Sequence, residues 1–141
     1  MRTVVLLCGP PGAGKSTVAR KSGLTVFDRD DEHWLSERHF TDALKRLRED
    51  PAARAVVIRS GATSSARHRA AAMVGATDTY MLTAPRDELL QRVRDRGRNA
   101  MREQAGVKQW LDSFDGHDGV RRFPGWPAVF GEGIGTTSRK W

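Results

Sequence analysis

The sequence has a single cysteine, Cys8, in 141 residues. That excludes an internal disulfide and a thiolate-built zinc site within these residues. No apolar run approaches the ~20 residues that a membrane-spanning helix needs. Met1 to Cys8 is too short for a signal peptide and leads straight into a motif. A cytoplasmic protein with no membrane partner is expected, in the host cytoplasm if the source is a phage. No repeat and no low-complexity segment is present, and the length suits one domain with one modest core. Lysine is scarce, with five Lys beside 19 Arg, and against 17 acidic residues the net charge is +7. Such an excess favours a polyanionic partner or a phosphorylated ligand, and guanidinium groups suit bidentate phosphate contacts. An Arg-rich genome would give the same composition.

Strand and helix patterns alternate along the chain. Thr3-Val-Val-Leu-Leu-Cys8 is nearly all apolar, which suits a parallel strand buried on both faces. A short helix over Ser16–Lys21 follows, then a strand over Leu24–Phe27. Thr41 is the expected N-cap of a helix reaching Arg48. Ala55–Ile58 reads as a third strand, Ser65–Met73 as a helix and Thr79–Thr83 as a fourth strand. Pro85 opens a helix to about Arg96. A further helix over Asn99–Phe114 is expected to break at Gly106. From Asp115 the chain is rich in Gly, with Pro124, Pro127 and the isolated aromatics Trp126 and Trp141. An irregular tail over 115–141 is expected. The remainder, 1–114, reads as an α/β domain with a mostly parallel sheet of about four to five strands.

Gly9-Pro10-Pro11-Gly12-Ala13-Gly14-Lys15-Ser16 matches G-x-x-x-x-G-K-[ST]. It lies between a strand and a helix, where the mechanism requires it. The glycines let successive backbone N–H groups turn inward, and a helix N-terminus stands behind them. Lys15 can reach the β- and γ-phosphates of a nucleoside triphosphate, the Ser16 hydroxyl can ligate Mg²⁺, and Thr17 can touch a phosphate oxygen. ATP or another nucleoside triphosphate and Mg²⁺ are the implied cofactors. A GTP switch is disfavoured, because the guanine-reading N-K-x-D needs an Asn-Lys pair and none occurs. Motor, helicase and transporter ATPases need insertions that this length does not hold.

Asp28-Arg29-Asp30-Asp31 follows the second strand. Ligands of open α/β sheets bind outside the carboxyl ends of the strands. A carboxylate there can take the proton of an attacking hydroxyl. Asp30 is assigned that role, and Asp31 is assigned to cap a short helix through Trp34. The loop and this cluster together resemble the phage polynucleotide 5′-kinase group of P-loop kinases, over roughly residues 3–114. The resemblance implies a P-loop kinase-like three-layer fold. Those proteins carry N-R-D-D here, and the first Asp of their D-D pair is the general base, a role that falls on Asp30. Asp28 stands in place of their Asn. Two residues beyond the pair the family can carry an Arg that holds a substrate phosphate; His33 stands there.

Arg92-Val-Arg94-Asp-Arg96-Gly97-Arg98 follows, with Arg92 and Arg96 on one helix face and Gly97 as a hinge. It reads as a lid near 92–98 whose arginines stabilise charge on the transferred group. The polynucleotide kinase group has a similar R-x-x-x-R-G lid. A solvated basic helix end is the competing reading. After the third strand there is Arg59-Ser60 and no acid to hold the Mg²⁺ shell; Ser60 or Asp28 could substitute. Arg67 could contact the acceptor or lie on an exposed helix face. His33, His39, His68 and His117 show no metal-ligand spacing.

The expectation is thus an ATP-dependent kinase acting on a hydroxyl, with Lys15, Asp30, Arg92 and Arg96 catalytic and residues 9–17 holding the nucleotide. Ser16 holds the metal, and Asp28, Arg29, His33 and Arg67 face the acceptor. The acceptor is expected to be nucleic acid, a polynucleotide 5′-hydroxyl or a hydroxymethylated base. A nucleoside, nucleotide or small-metabolite kinase is the alternative. A nucleotide-binding regulatory protein without transfer activity is the alternative of another class.

Overall fold

The computed structural model describes residues 1–97 and 99–131. Arg98 of the expected lid and residues 132–141 of the expected tail, Trp141 included, lie outside the described residues. The elements run β1 (Thr3–Cys8), α1 (Lys15–Arg20), β2 (Thr25–Asp28), α2 (Glu37–Glu49), β3 (Arg54–Arg59) and α3 (Ser64–Val74). Then follow β4 (Asp78–Met81), α4 (Arg86–Arg96), α5 (Ala100–Ser113), β5 (Arg121–Arg122) and α6 (Trp126–Val129). The five strands make an all-parallel sheet in the order β2-β3-β1-β4-β5.

The apolar run of β1 has a direct cause, since the strand is central and covered on both faces. Val4, Leu6 and Cys8 pack with Phe40 and Leu44 of α2, Val74 of α3 and Trp110 of α5. Val5 and Leu7 pack with Ala19 of α1. All five β1 residues are fully buried, and each such side chain contributes ~1.5–3 kcal/mol. Helices on both faces of the sheet give three layers. The chain leaves β1 for the edge strand β2, returns beside β1 as β3, and crosses over to β4 on the other side. That reversal makes the carboxyl ends of β1 and β3 the switch point, where a crevice opens. Among the described residues no helix is long and apolar enough to cross a membrane.

Several local expectations are corrected. α2 begins at Glu37, not at Thr41, because Ser36 caps it by accepting from the His39 N–H at 3.0 Å. Glu37 in the first turn also complements the helix dipole. α5 runs unbroken through Gly106, whose bare Cα lets Pro11 approach; a Cβ there would sit 3.3 Å from Pro11 Cγ. The irregular tail is corrected over 115–131. β5 extends the sheet beside β4, with Arg121 opposite Tyr80. Phe123, Trp126 and Phe130 pack in sequence, with ring centroids 4.9 and 5.7 Å apart. The Trp126 indole donates to the Val18 carbonyl of α1 at 2.8 Å. Aromatics that look isolated in the sequence therefore close one face of the core.

Arg67 is corrected as well. It is 1% exposed, so it lies neither at an acceptor nor on an open helix face. Its guanidinium donates to the Gly61 and Ala62 carbonyls at 2.8 and 3.2 Å, to the Asp115 carbonyl, and to both Asp118 carboxylate oxygens at 2.8 and 3.0 Å. It thereby ties the segment after α5 to the start of α3. The Arg67 hydrogen bond holds the Asp118 carboxyl below its ordinary 3.8, and the Ser64 hydrogen bond does the same for Asp115. A depressed folded pKa means stability that is present above 3.8 and lost as pH falls through the folded value. Arg67→Leu should cost about 2–4 kcal/mol in urea unfolding, because it strands these acceptors. The acid-induced loss of stability should also be smaller in that variant than in the parent. Equal unfolding midpoints would show that the network carries nothing.

Candidate functional site

The loop between β1 and α1 takes its shape from close approaches. A Cβ on Gly9 would lie 2.0 Å from the Leu82 carbonyl oxygen. Gly12 has φ +83°, in the left-handed region, and a Cβ there would lie 2.9 Å from the Leu89 carbonyl oxygen. Ala13 packs with Leu89 and Val93 of α4 and Val107 of α5, so the α4–α5 pair grips the loop from outside. The N–H groups of Lys15, Ser16 and Thr17 open α1 and have no acceptor within it. The Lys15 ammonium donates to the Gly9 carbonyl and to the Pro10 carbonyl at 3.2 Å. Burial lowers its pKa to about 8, against the pull of the Asp28 and Asp30 carboxylates, which favour the charged form.

The Ser16 hydroxyl donates to Asp28 Oδ2 at 2.6 Å. Asp28 ends β2 beside Ile58 of β3, and its backbone sits in a fixed turn. Asp28 Oδ1 accepts the Asp30 N–H at 3.1 Å, and the Asp28 carbonyl accepts the Trp34 indole N–H at 3.0 Å. Trp34 packs between Phe27 and Phe40. No helix forms through Trp34; Asp31 caps a turn instead, accepting the His33 N–H at 3.0 Å. β3 ends in Arg59 and Ser60 without an acid, so the carboxylate nearest the Ser16 hydroxyl comes from β2. The Ser60 carbonyl is taken by the Gly9 N–H and the Trp110 indole.

These groups line a cavity of about 650 Å³ at the switch point. Residues 10–17 form one wall, Asp28, Asp30 and Ile58 the strand ends, and Arg96, Asn99, Arg102 and Glu103 the opposite wall. Asp30 is exposed on this wall. The two lid arginines part company. Arg96 lines the cavity and pairs with Glu103, and Gly97 ends α4 with φ +69°. Arg92 pairs with Glu88 and donates to the Gly12 carbonyl at 3.0 Å, which braces the loop from outside the cavity. Arg29 points to Glu37 at 3.0 Å, and His33 packs on the edge of Trp34; neither lines the cavity. The sequence reading missed Asn99, Arg102 and Glu103. Their position just after the lid glycine was the available signal.

The donor set fits the implied cofactors. The Ser16 hydroxyl and the Asp28 carboxylate are hard oxygens suited to Mg²⁺, which takes few protein ligands and shares phosphate oxygens and water. Among the described residues no group of three His, Cys, Asp or Glu could hold a metal by itself. Magnesium would therefore be held together with a triphosphate in the loop.

No family model matches the chain, and no curated protein sequence does. Solved structures are similar to it. A gluconokinase from Sinorhizobium meliloti 1021 has a TM-score of 0.57 at 16% identity, over 99% of this chain and 95% of that one. A shikimate kinase from Acinetobacter baumannii, in complex with shikimate, has a TM-score of 0.50 at 18% identity, over 99% and 94%. The YorR protein from Bacillus subtilis, in complex with phosphorylated GDP, has a TM-score of 0.51 at 14% identity, over 79% and 78%. At these identities what is shared is the fold, the α/β parallel-sheet fold of P-loop kinases.

Two measurements check the site. Lys15 is charged below about pH 8 and neutral above it, and a phosphate anion binds the charged form. ATP affinity should therefore be level up to about pH 7.5 and fall above pH 8, by at most ~10-fold per pH unit. Lys15→Arg should remove that fall, since its charge does not titrate there. Asp28→Asn should raise the Mg²⁺ needed for tight ATP binding by about 10–100-fold. A calorimetric titration with no pH dependence, or with unchanged Mg²⁺ demand, would contradict these assignments.

Proposed function

We propose that the chain is a phosphotransferase that moves the γ-phosphate of ATP, or another nucleoside triphosphate, to a hydroxyl group of a small molecule. The observation that carries this reading is the 2.6 Å contact between Ser16 and Asp28, with Asp30, Lys15 and Arg96 on the same cavity wall system. It gives the phosphate loop a metal-holding carboxylate and a second carboxylate without that duty.

In this reading the loop N–H groups and Lys15 hold the triphosphate, and Ser16 and Asp28 hold Mg²⁺. The metal, when bound, neutralises phosphate charge. Asp30 accepts the proton of the acceptor hydroxyl as its oxygen bonds to the γ-phosphorus and the bond to the β-phosphate oxygen breaks. The nucleoside diphosphate leaves. Arg96 offers its guanidinium to the charge on the transferred group once it exchanges Glu103 for phosphate. Arg92 acts on the loop and holds Gly12 in place.

Three observations favour a small acceptor. A cavity of about 650 Å³ that also takes the terminal phosphates leaves room for a metabolite-sized molecule. Two of the similar structures are a gluconokinase and a shikimate kinase, the latter holding shikimate. Of the residues expected at the acceptor, Arg29, His33 and Arg67 do not line the cavity, and Asp28, which does, is taken up by Ser16. A nucleic-acid hydroxyl stands as the second reading on one observation, the net charge of +7. A nucleotide-binding protein without transfer activity is disfavoured, because Asp28 fills the place of the acid missing after β3.

The test is a labelled γ-phosphate transfer screen with small polyhydroxy compounds, nucleosides and 5′-hydroxyl DNA and RNA side by side. Asp30→Asn should lower the rate ~10²–10⁴-fold with ATP affinity nearly unchanged, while Asp31→Asn should do far less. Transfer to the small acceptor should vary little with salt, whereas a polynucleotide acceptor would lose affinity steeply between about 50 and 200 mM. Undiminished transfer by Asp30→Asn would remove Asp30 as the base.

A further inference from the structure

A second cavity, of about 210 Å³, lies between α2 and α3 against β3. Its inner surface is apolar, from Leu44 of α2, Val57 of β3 and Met73 of α3. Two arginines, Arg59 and Arg69, also line it. Arg59 is held over the Phe40 ring, 5.7 Å from its centroid. Arg69 donates to the Ser65 hydroxyl at 2.7 Å. Among the described residues neither is paired with a carboxylate. This sets them apart from Arg67, Arg92 and Arg96, each of which has an acidic partner.

The place of this cavity matters as much as its chemistry. Ile58 lines the large cavity, and the next two residues, Arg59 and Ser60, line the small one. Both cavities are thus lined by residues at the carboxyl end of β3, where Ile58 lies opposite Asp28. We propose that the small cavity anchors the acceptor: it seats an anionic group, carboxylate or phosphate, of the same molecule whose hydroxyl reaches Asp30. This rests on the phosphotransferase reading and narrows its acceptor to a hydroxylated organic anion. Two cations of one sign at an apolar cavity repel each other and gain most from a shared anion, which guanidinium binds in bidentate fashion. A neutral polyol offers them nothing comparable. The volume of about 210 Å³ equals about seven waters at ~30 Å³ each, enough for an anionic group and a short carbon stem.

The test compares matched compounds on the full chain. D-glycerate and glycerol 3-phosphate are small anions, thymidine 3′-phosphate carries the same anion on a nucleoside, and glycerol and thymidine are the neutral counterparts. Binding is read by calorimetry without nucleotide, and transfer by labelled ATP. At least one anion should bind and accept phosphate, with its neutral counterpart at least about tenfold weaker. Arg69→Gln should weaken that anion and raise its KM about tenfold or more while leaving kcat and ATP affinity in place. Arg69 is exposed, so the variant should fold, and a thermal melt checks it. Arg59→Lys should retain part of the binding that Arg59→Gln loses. Preference for thymidine 3′-phosphate over both small anions would assign the phosphate to a nucleic-acid end. Equal use of charged and neutral acceptors, or no effect of Arg69→Gln, overturns the anchor while the phosphotransferase reading stands. Arg69-dependent anion binding with ATP bound but no transfer to any compound overturns the acceptor assignment and the phosphotransferase reading together.

Discussion

The burial of β1 on both faces is the constraint on which the rest of the structure depends. A strand with no exposed side can only be central, and a central parallel strand releases its chain at the middle of the sheet's carboxyl edge. Gly9 is the first residue past that point and cannot carry a side chain beneath Leu82. The loop is therefore aimed by the core. It is then clamped from the other side by Leu89, Val93 and Val107 around Ala13, and by Arg92 on the Gly12 carbonyl. A phosphate site made of backbone amides needs this, because its geometry resides in main-chain torsions that no single side chain can correct.

Charge in the cavity follows from that placement. Lys15 is drawn into a half-buried position where burial lowers its pKa, and the two aspartates of the β2 turn oppose that shift. Asp28 and Asp30 differ in kind although two residues apart. Asp28 is tied by Ser16, by the Asp30 amide and, through its carbonyl, by Trp34. Asp30 has an exposed carboxylate on the cavity wall. A restrained carboxylate suits a metal shell, and one without a fixed partner suits a group that must take up a proton.

The fold was legible because its signals are local and strong. β1, the loop, β3 and the helix from Pro85 to Gly97 each rest on a run of residues of one character. What was not legible depended on distance in sequence. Asp28 was one of two candidates for the acid missing after β3, and only its 2.6 Å contact with Ser16, once β2 lies beside β3, selects it over Ser60. Ser36 is one polar residue among several, and only the His39 amide identifies it as the cap. Phe123, Trp126 and Phe130 sit among glycines and prolines that signal irregular chain, yet their burial against Tyr80 and α1 orders residues 121–129. Arg67 gave the least warning, since the acids that balance its buried charge, Asp115 and Asp118, lie about fifty residues away.

Arginine also limits what the net charge can say. Arg2 donates to the carbonyls of Leu47, Asp50, Val74 and Gly75, where α2 and α3 end. Arg29 and Arg38 are matched by Glu37 and Asp42, Arg92 by Glu88, Arg96 by Glu103, and Arg67 by Asp118. Arg2 and Arg67 bridge separate segments of the fold by hydrogen bonds, a use for which the planar fork is better suited than an ammonium, while Arg29, Arg38, Arg92 and Arg96 form partly or largely exposed ion pairs. A formal +7 is what remains after every acid is cancelled, and it does not by itself place that excess on one continuous basic surface of the kind that tracks a phosphate backbone. In the proposed reading the cations that bear on an acceptor are the few that, among the described residues, face a cavity without an acidic partner. Their number suits one anionic group better than a polymer of them, and on that ground the small-acceptor reading is the stronger of the two.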